Sequence, residues 1–198
     1  MFSTRIATQI YAKICFEATL SQKKIIEKLS EYLADDDPSK IFILNGFAGT
    51  GKTTLISAFV SALKDLNIKT ILLAPTGRAA KVLARYSHER ALTVHKRIYL
   101  ERTNAAYESK FSLAPNREQD ALFIVDEASM LSNDTTGGAL FGSGALLDDL
   151  VTYVRSGKRC RLMLVGDNAQ LPPVGAENSP ALDPVFMSRY GEVVYGSM

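Results

Sequence analysis

The 198-residue chain has two cysteines, Cys15 and Cys160. They lie far apart and form no metal-ligand spacing, which leaves reduced, partly buried thiols of the kind a cytoplasmic protein carries. No apolar run approaches the ~20 residues that span a bilayer, and the first ten residues lack the apolar stretch and cleavage site of a secretory signal. Charge of one sign is also missing. Lys and Arg total 23 against 21 Asp and Glu, a net charge of +2. Bulk charge therefore neither calls for nor excludes a nucleic-acid partner, and any basic surface must be local. No internal repeat or low-complexity tract is visible. What remains, 46% hydrophobic and 22% charged residues, is the composition of an ordinary globular domain. Its length buries a full core without staples.

The strongest positive signal is Gly46-Phe-Ala-Gly-Thr-Gly-Lys-Thr53. It fits the phosphate-loop pattern G-x-x-x-x-G-K-[ST] at every position. An apolar run, Ile41–Leu44, precedes it, and a second, Leu55–Val60, follows. Strand, glycine loop and helix are the context in which the pattern carries meaning. Gly46, Gly49 and Gly51 let the backbone curl so that the N–H groups of Ala48, Gly49, Thr50 and Gly51 face phosphate oxygens. The helix start adds the positive end of its dipole. In this chemistry Lys52 reaches the β- and γ-phosphates and Thr53 takes a magnesium ion.

Apolar strands alternate with helical patterns through the rest of the chain. Strands are expected at residues 41–44, 70–74, 121–125 and 161–165, and helices at 20–33, 52–66, 77–87 and 146–156. That alternation predicts a three-layer α/β/α fold around a mainly parallel sheet, with ligands beyond the carboxyl ends of the strands. Residues 97–118 break the alternation and suggest a small β-hairpin insertion. Residues 132–144 carry four glycines and suggest a mobile loop.

Two further segments begin where expected strands end. Leu122–Val125 runs into Asp126 and Glu127. In phosphate-loop hydrolases the first acid supports magnesium, directly or through water, and the second is placed to activate the attacking water. An acidic strand end that merely caps the next helix is the structural alternative. Leu162–Val165 runs into Gly166-Asp-Asn-Ala-Gln170-Leu-Pro-Pro173. The amide of Gln170 can donate to a γ-phosphate and accept from water, yet Gly, Asp, Asn and Pro also make turns.

In order along the chain, these segments resemble the RecD-like branch of superfamily 1 DNA helicases, which includes the alpha subunit of exodeoxyribonuclease V. The resemblance covers most of the chain. It is most specific in Asp126-Glu-Ala-Ser-Met130 and in Gly166-Asp-Asn-Ala-Gln-Leu-Pro-Pro-Val174. It implies a RecA-like lobe that binds ATP and magnesium. Gln22 would read the adenine, residues 46–54, including Thr54, would bind the nucleotide, and Lys52, Asp126, Glu127 and Gln170 would act in hydrolysis. It assigns Pro75, Thr76, Gly77 and Arg78, with Thr93 and His95, to single-stranded DNA. It also implies cytoplasmic nuclease or helicase subunits as partners. On the residues alone, Thr76 is equally a helix cap, His95 a satisfied polar residue, and Tyr86, Tyr99 and Tyr107 either stack on bases or pack.

Motors of this kind have two lobes, and the second supplies an arginine to the site. The later motifs are missing, so the chain is expected to be the first lobe alone, residues 1–198, with 178–198 leading towards the second. A GTPase would need an Asn-Lys-x-Asp segment and a small-molecule kinase an arginine-rich lid; neither is present. A nucleotide-dependent interaction module without motor activity remains the alternative.

Overall fold

The structure is a computed structural model that describes residues 2–103, 109–133, 141–170 and 179–198. Two helices open the chain, α1 (Phe2–Lys13) and α2 (Leu20–Ala34). Then follow β1 (Ile41–Asn45), α3 (Lys52–Asp65), β2 (Lys69–Ala74), α4 (Gly77–Ser87), β3 (Ala91–Thr93), α5 (Val94–Ile98), β4 (Tyr99–Thr103) and β5 (Ser109–Leu113). The second half contributes β6 (Ala121–Val125), α6 (Leu146–Ser156), β7 (Arg161–Gly166), α7 (Pro184–Met187) and β8 (Val193–Ser197).

Among the described residues, six strands form one sheet in the order β3-β2-β6-β7-β1-β8. All its pairings are parallel. The strands are Val-, Ile- and Leu-rich because both faces are covered. Successive side chains go to opposite faces. Ile41, Ile43, Phe123, Val125, Leu162 and Leu164 pack under α5 and α6. Phe42, Leu44, Leu122, Ile124, Met163 and Val165 pack under α1 to α4. The expected three-layer α/β/α architecture is therefore the observed one.

Two features differ from expectation. Helix α1 has no counterpart in the periodicity reading, because only Ile6 and Ile10 of its twelve residues are buried. The segment 178–198 contains a strand that the sequence pattern did not place. Val193–Ser197 becomes β8 and pairs with β1 in register from Ile41↔Val193 to Asn45↔Ser197. The reason is local: Val193, Val194 and Tyr195 favour strand, and Gly191, at φ 140°, makes the turn before them.

Residues 97–118 contain the antiparallel pair β4–β5. Part of the glycine-rich stretch, 134–140, lies outside the described residues. The part that follows is pinned to the hairpin. Gly142 N–H donates to Phe111 O at 2.9 Å, and the Phe141 ring stacks on Phe111 at 4.3 Å.

Candidate functional site

The phosphate loop runs from Asn45, the last residue of β1, to Lys52, the first of α3. Gly49 and Gly51 both have positive φ, 81° and 87°, a conformation costly for any residue with a Cβ. Gly51 has a second constraint, since a Cβ there would lie 2.8 Å from Gln22 Nε2. The loop closes on itself through Thr50, whose Oγ1 donates to Phe47 O at 2.8 Å. Helix α3 starts without a side-chain cap, so the N–H groups of its first turn are offered to an anion. Ala48, Gly49, Thr53 and Thr54 are exposed. Lys52 Nζ donates to the carbonyls of Gly46 and Phe47, so the ammonium lies over the loop.

Gln22 belongs to the capping box that starts α2: Thr19 N–H donates to its Oε1 at 3.0 Å. Its Nε2 donates to Thr50 O at 3.3 Å. The residue expected at the base is thus buried against the loop itself.

Strand β6 delivers the two acids beside the loop. Asp126 N–H is fixed by Leu73 O at 2.9 Å. Its Oδ1 accepts from Glu127 N–H at 3.0 Å, and its Oδ2 accepts from the Tyr86 hydroxyl. Burial, reinforced by Asp126, raises the Tyr86 phenol far above its ordinary value, so it stays a donor. Glu127 takes the left-handed conformation at φ 54°, an uncommon one for a residue with a Cβ. Burial raises its carboxyl above the usual carboxylate range; the Asp126 and Asp167 charges add to this and Lys52 opposes it. Those couplings show that the structure gathers Lys52, Asp126, Glu127 and Asp167 into one electrostatic neighbourhood. A carboxyl held up in this way suits a proton acceptor.

Strand β7 ends at Gly166, whose carbonyl accepts from Gly46 N–H at 3.1 Å. Asp167 is buried, with its Oδ1 accepting from Ala169 N–H at 2.9 Å. Gln170 follows, exposed, at the end of this turn. The rest of the expected coupling segment, 171–174, lies outside the described residues.

The candidate DNA residues stand on the same rim of the sheet. Pro75 to Arg78 follow β2 and Thr93 ends β3, with Ala74 opposite Thr93. Thr76 Oγ1 accepts from Ala79 N–H at 3.2 Å, which makes it the cap of α4. Thr93 caps α5 in the same way. Gly77 and Arg78 are exposed. The His95 ring lies against Phe141 at 5.2 Å and Tyr99 at 5.7 Å, and burial lowers its pKa. Tyr99 is packed in the core and Tyr86 is tied to Asp126, while Tyr107 lies outside the described residues. Two site residues escaped the sequence reading, Asn45 and the hydroxyl of Tyr86. A polar residue ending an apolar strand was the signal for the first; nothing in the sequence points Tyr86 at Asp126.

Fold and loop together define a phosphate-loop nucleotide-binding α/β protein. The chain belongs to the AAA domain family, whose model matches residues 30–176. It is 32% identical over 156 residues to the ATP-dependent RecD2 DNA helicase of Deinococcus radiodurans, covering 79% of this chain and 19% of that one. To the ATP-dependent DNA helicase dda of Enterobacteria phage T4 it is 32% identical over 152 residues, covering 74% of this chain and 31% of that one. The kinship with superfamily 1 helicases expected from the motifs therefore holds, and the chain spans less than a third of these relatives. The crystal structure of the Pif1 helicase from Candida albicans has the same fold. It matches with a TM-score of 0.54 and 18% identity over 92% of this chain and 40% of that one. No helix among the described residues is long and apolar enough to cross a membrane.

Proposed function

We propose that residues 1–198 act as one ATP-binding and hydrolysing motor lobe of a RecD-like DNA helicase, coupling hydrolysis to movement along single-stranded DNA in the full-length protein. One observation carries the reading. The phosphate loop and the acid pair stand at the carboxyl ends of β1 and β6, and the candidate DNA residues at those of β2 and β3, with β2 paired directly to β6. Both ligands would thus meet the same rim of one sheet.

In this reading the loop N–H groups and Lys52 bind the phosphates, and Gln22 stands on the base side. Thr53 and Asp126 would hold magnesium. The residues fit that ion in part: Thr53 offers an exposed hydroxyl and Asp126 a carboxylate, but no three His, Cys, Asp or Glu side chains among the described residues gather into a metal cluster. Nucleotide oxygens and water would complete the shell, as magnesium prefers. The ion would neutralise charge building on the phosphates. Glu127 accepts the proton of the attacking water, and Gln170 registers the γ-phosphate.

The test is ATP turnover by the full-length protein with and without single-stranded DNA. Stimulation by DNA, lost in Lys52→Ala, is expected. A DNA-independent rate would favour a nucleotide-dependent interaction module, and phosphoryl transfer to a small molecule would favour a kinase.

A further inference from the structure

Asp126 is gripped from two sides. Its Oδ1 accepts from the Glu127 N–H at 3.0 Å, and its Oδ2 from the Tyr86 hydroxyl. The first contact comes from the neighbouring residue. The second comes from the last turn of α4, forty residues away in sequence. The torsion that sets a carboxylate plane is soft, and two donors on different oxygens remove that freedom. Tyr86 is itself held, because Ser57 Oγ donates to its carbonyl at 2.7 Å. Ser57 lies one turn beyond Thr53 on α3. Tyr86 thus ties together the helix that starts at the phosphate loop, the helix that starts at Gly77, and the Asp126 carboxylate. A phenol is a neutral donor, so it orients the acid without cancelling its charge, as a Lys or Arg in its place would.

We propose that Tyr86 is a positioning residue for Asp126, setting the carboxylate towards a magnesium-nucleotide complex. The inference rests on the reading of Asp126 as the acid that serves magnesium. Each oxygen keeps a second lone pair, so the Tyr86 contact and a magnesium-bound water can share Oδ2. The ring supplies reach and packing; the hydroxyl supplies orientation.

The test is calorimetric binding of a non-hydrolysable ATP analogue to the 198-residue chain, in magnesium and in chelator. The proteins are the parent, Tyr86→Phe, Asp126→Asn and the double variant, each with its melting temperature. Magnesium should tighten binding to the parent. Tyr86→Phe should lose roughly 3–10-fold of that gain, with binding in chelator unchanged and the melting temperature lowered by a few degrees at most. Asp126→Asn should lose the gain entirely, and the double variant should be no worse. If Tyr86→Phe keeps the whole gain while Asp126→Asn loses it, Tyr86 has no such role and the reading of Asp126 stands. Equal weakening of Tyr86→Phe with and without magnesium would mean a merely structural tyrosine and overturn the proposal. A gain retained by Asp126→Asn would overturn both.

Discussion

Asn45 Oδ1 accepts a hydrogen bond from the backbone N–H of Asn168 at 3.0 Å, and Nδ2 of the same amide donates to the Tyr195 hydroxyl at 3.0 Å. The last residue before the phosphate loop thereby joins the turn after β7 to the edge strand β8. Replacing Asn45 by Ala leaves a backbone donor and a phenol without their partner. A destabilisation of about 1–3 kcal/mol is expected. Tyr195→Phe should cost about 0.5–1.5 kcal/mol, and the two should fall short of additivity. A urea-denaturation double-mutant cycle measures this; strict additivity would mean that the amide does not couple the two strands.

Lys52 and Glu127 should separate binding from turnover. Among the described residues, Lys52 is partly exposed and bonded to two loop carbonyls, so Lys52→Ala should shift stability by no more than about 0.5 kcal/mol. It should lose the rise in melting temperature that ADP gives the parent. A surviving rise would remove Lys52 from phosphate binding. Glu127→Gln in the full-length protein should keep ATP binding and lose about 10²–10⁴-fold in turnover. Undiminished turnover would point to another base.

Much of this site is legible in sequence because glycines and strand-terminal acids have few other uses. Gly49 and Gly51 sit at positive φ as the pattern requires, and Asp126 stands where an apolar run of five buried residues stops. The helix spans 77–87 and 146–156 were readable for a different reason, apolar residues recurring at helical spacing. What stayed hidden depends on side chains meeting across distant segments. Thr76 and Thr93 read equally as ligands or caps, and only the packed backbone shows both accepting from the third residue onward. Tyr86 reads as packing or stacking until Asp126, just past the end of β6, is brought within reach of its hydroxyl.

His95 gives the fold a pH dependence. Burial lowers its pKa below the ordinary histidine value of about 6.5. As pH falls past that value, the unfolded chain takes up the proton before the folded one does. The stability His95 contributes above it is therefore lost as pH falls through the folded value. His95→Phe keeps an aromatic ring against Phe141 and Tyr99 and removes the titration. Comparing urea midpoints of the two proteins from about pH 7.5 to 5.5, the parent should lose more stability than the variant. Parallel curves would show that the imidazole titrates alike in both states.

Helix α1 went unread because one buried residue per turn is a weak signal, yet Ile6 and Ile10 are both fully buried. Packing against α3, not intrinsic propensity, holds it. Ile10→Ala should therefore destabilise the protein by about 2–5 kcal/mol, measured by chemical denaturation. A loss below about 1 kcal/mol would mean that α1 docks only loosely.

The strand that carries the phosphate loop has both of its neighbours late in the chain. β1 ends at Asn45, while its partners span Arg161–Gly166 and Val193–Ser197. On a ribosome adding 5–20 residues per second, the second partner begins to be made roughly 7–30 s after Asn45. Until residues 161–166 emerge, the loop has a helix on one side and an unpaired strand on the other. Competence to hold a nucleotide therefore waits for residues 161–197, and a nascent chain lacking these two strands carries the phosphate-loop sequence without a site.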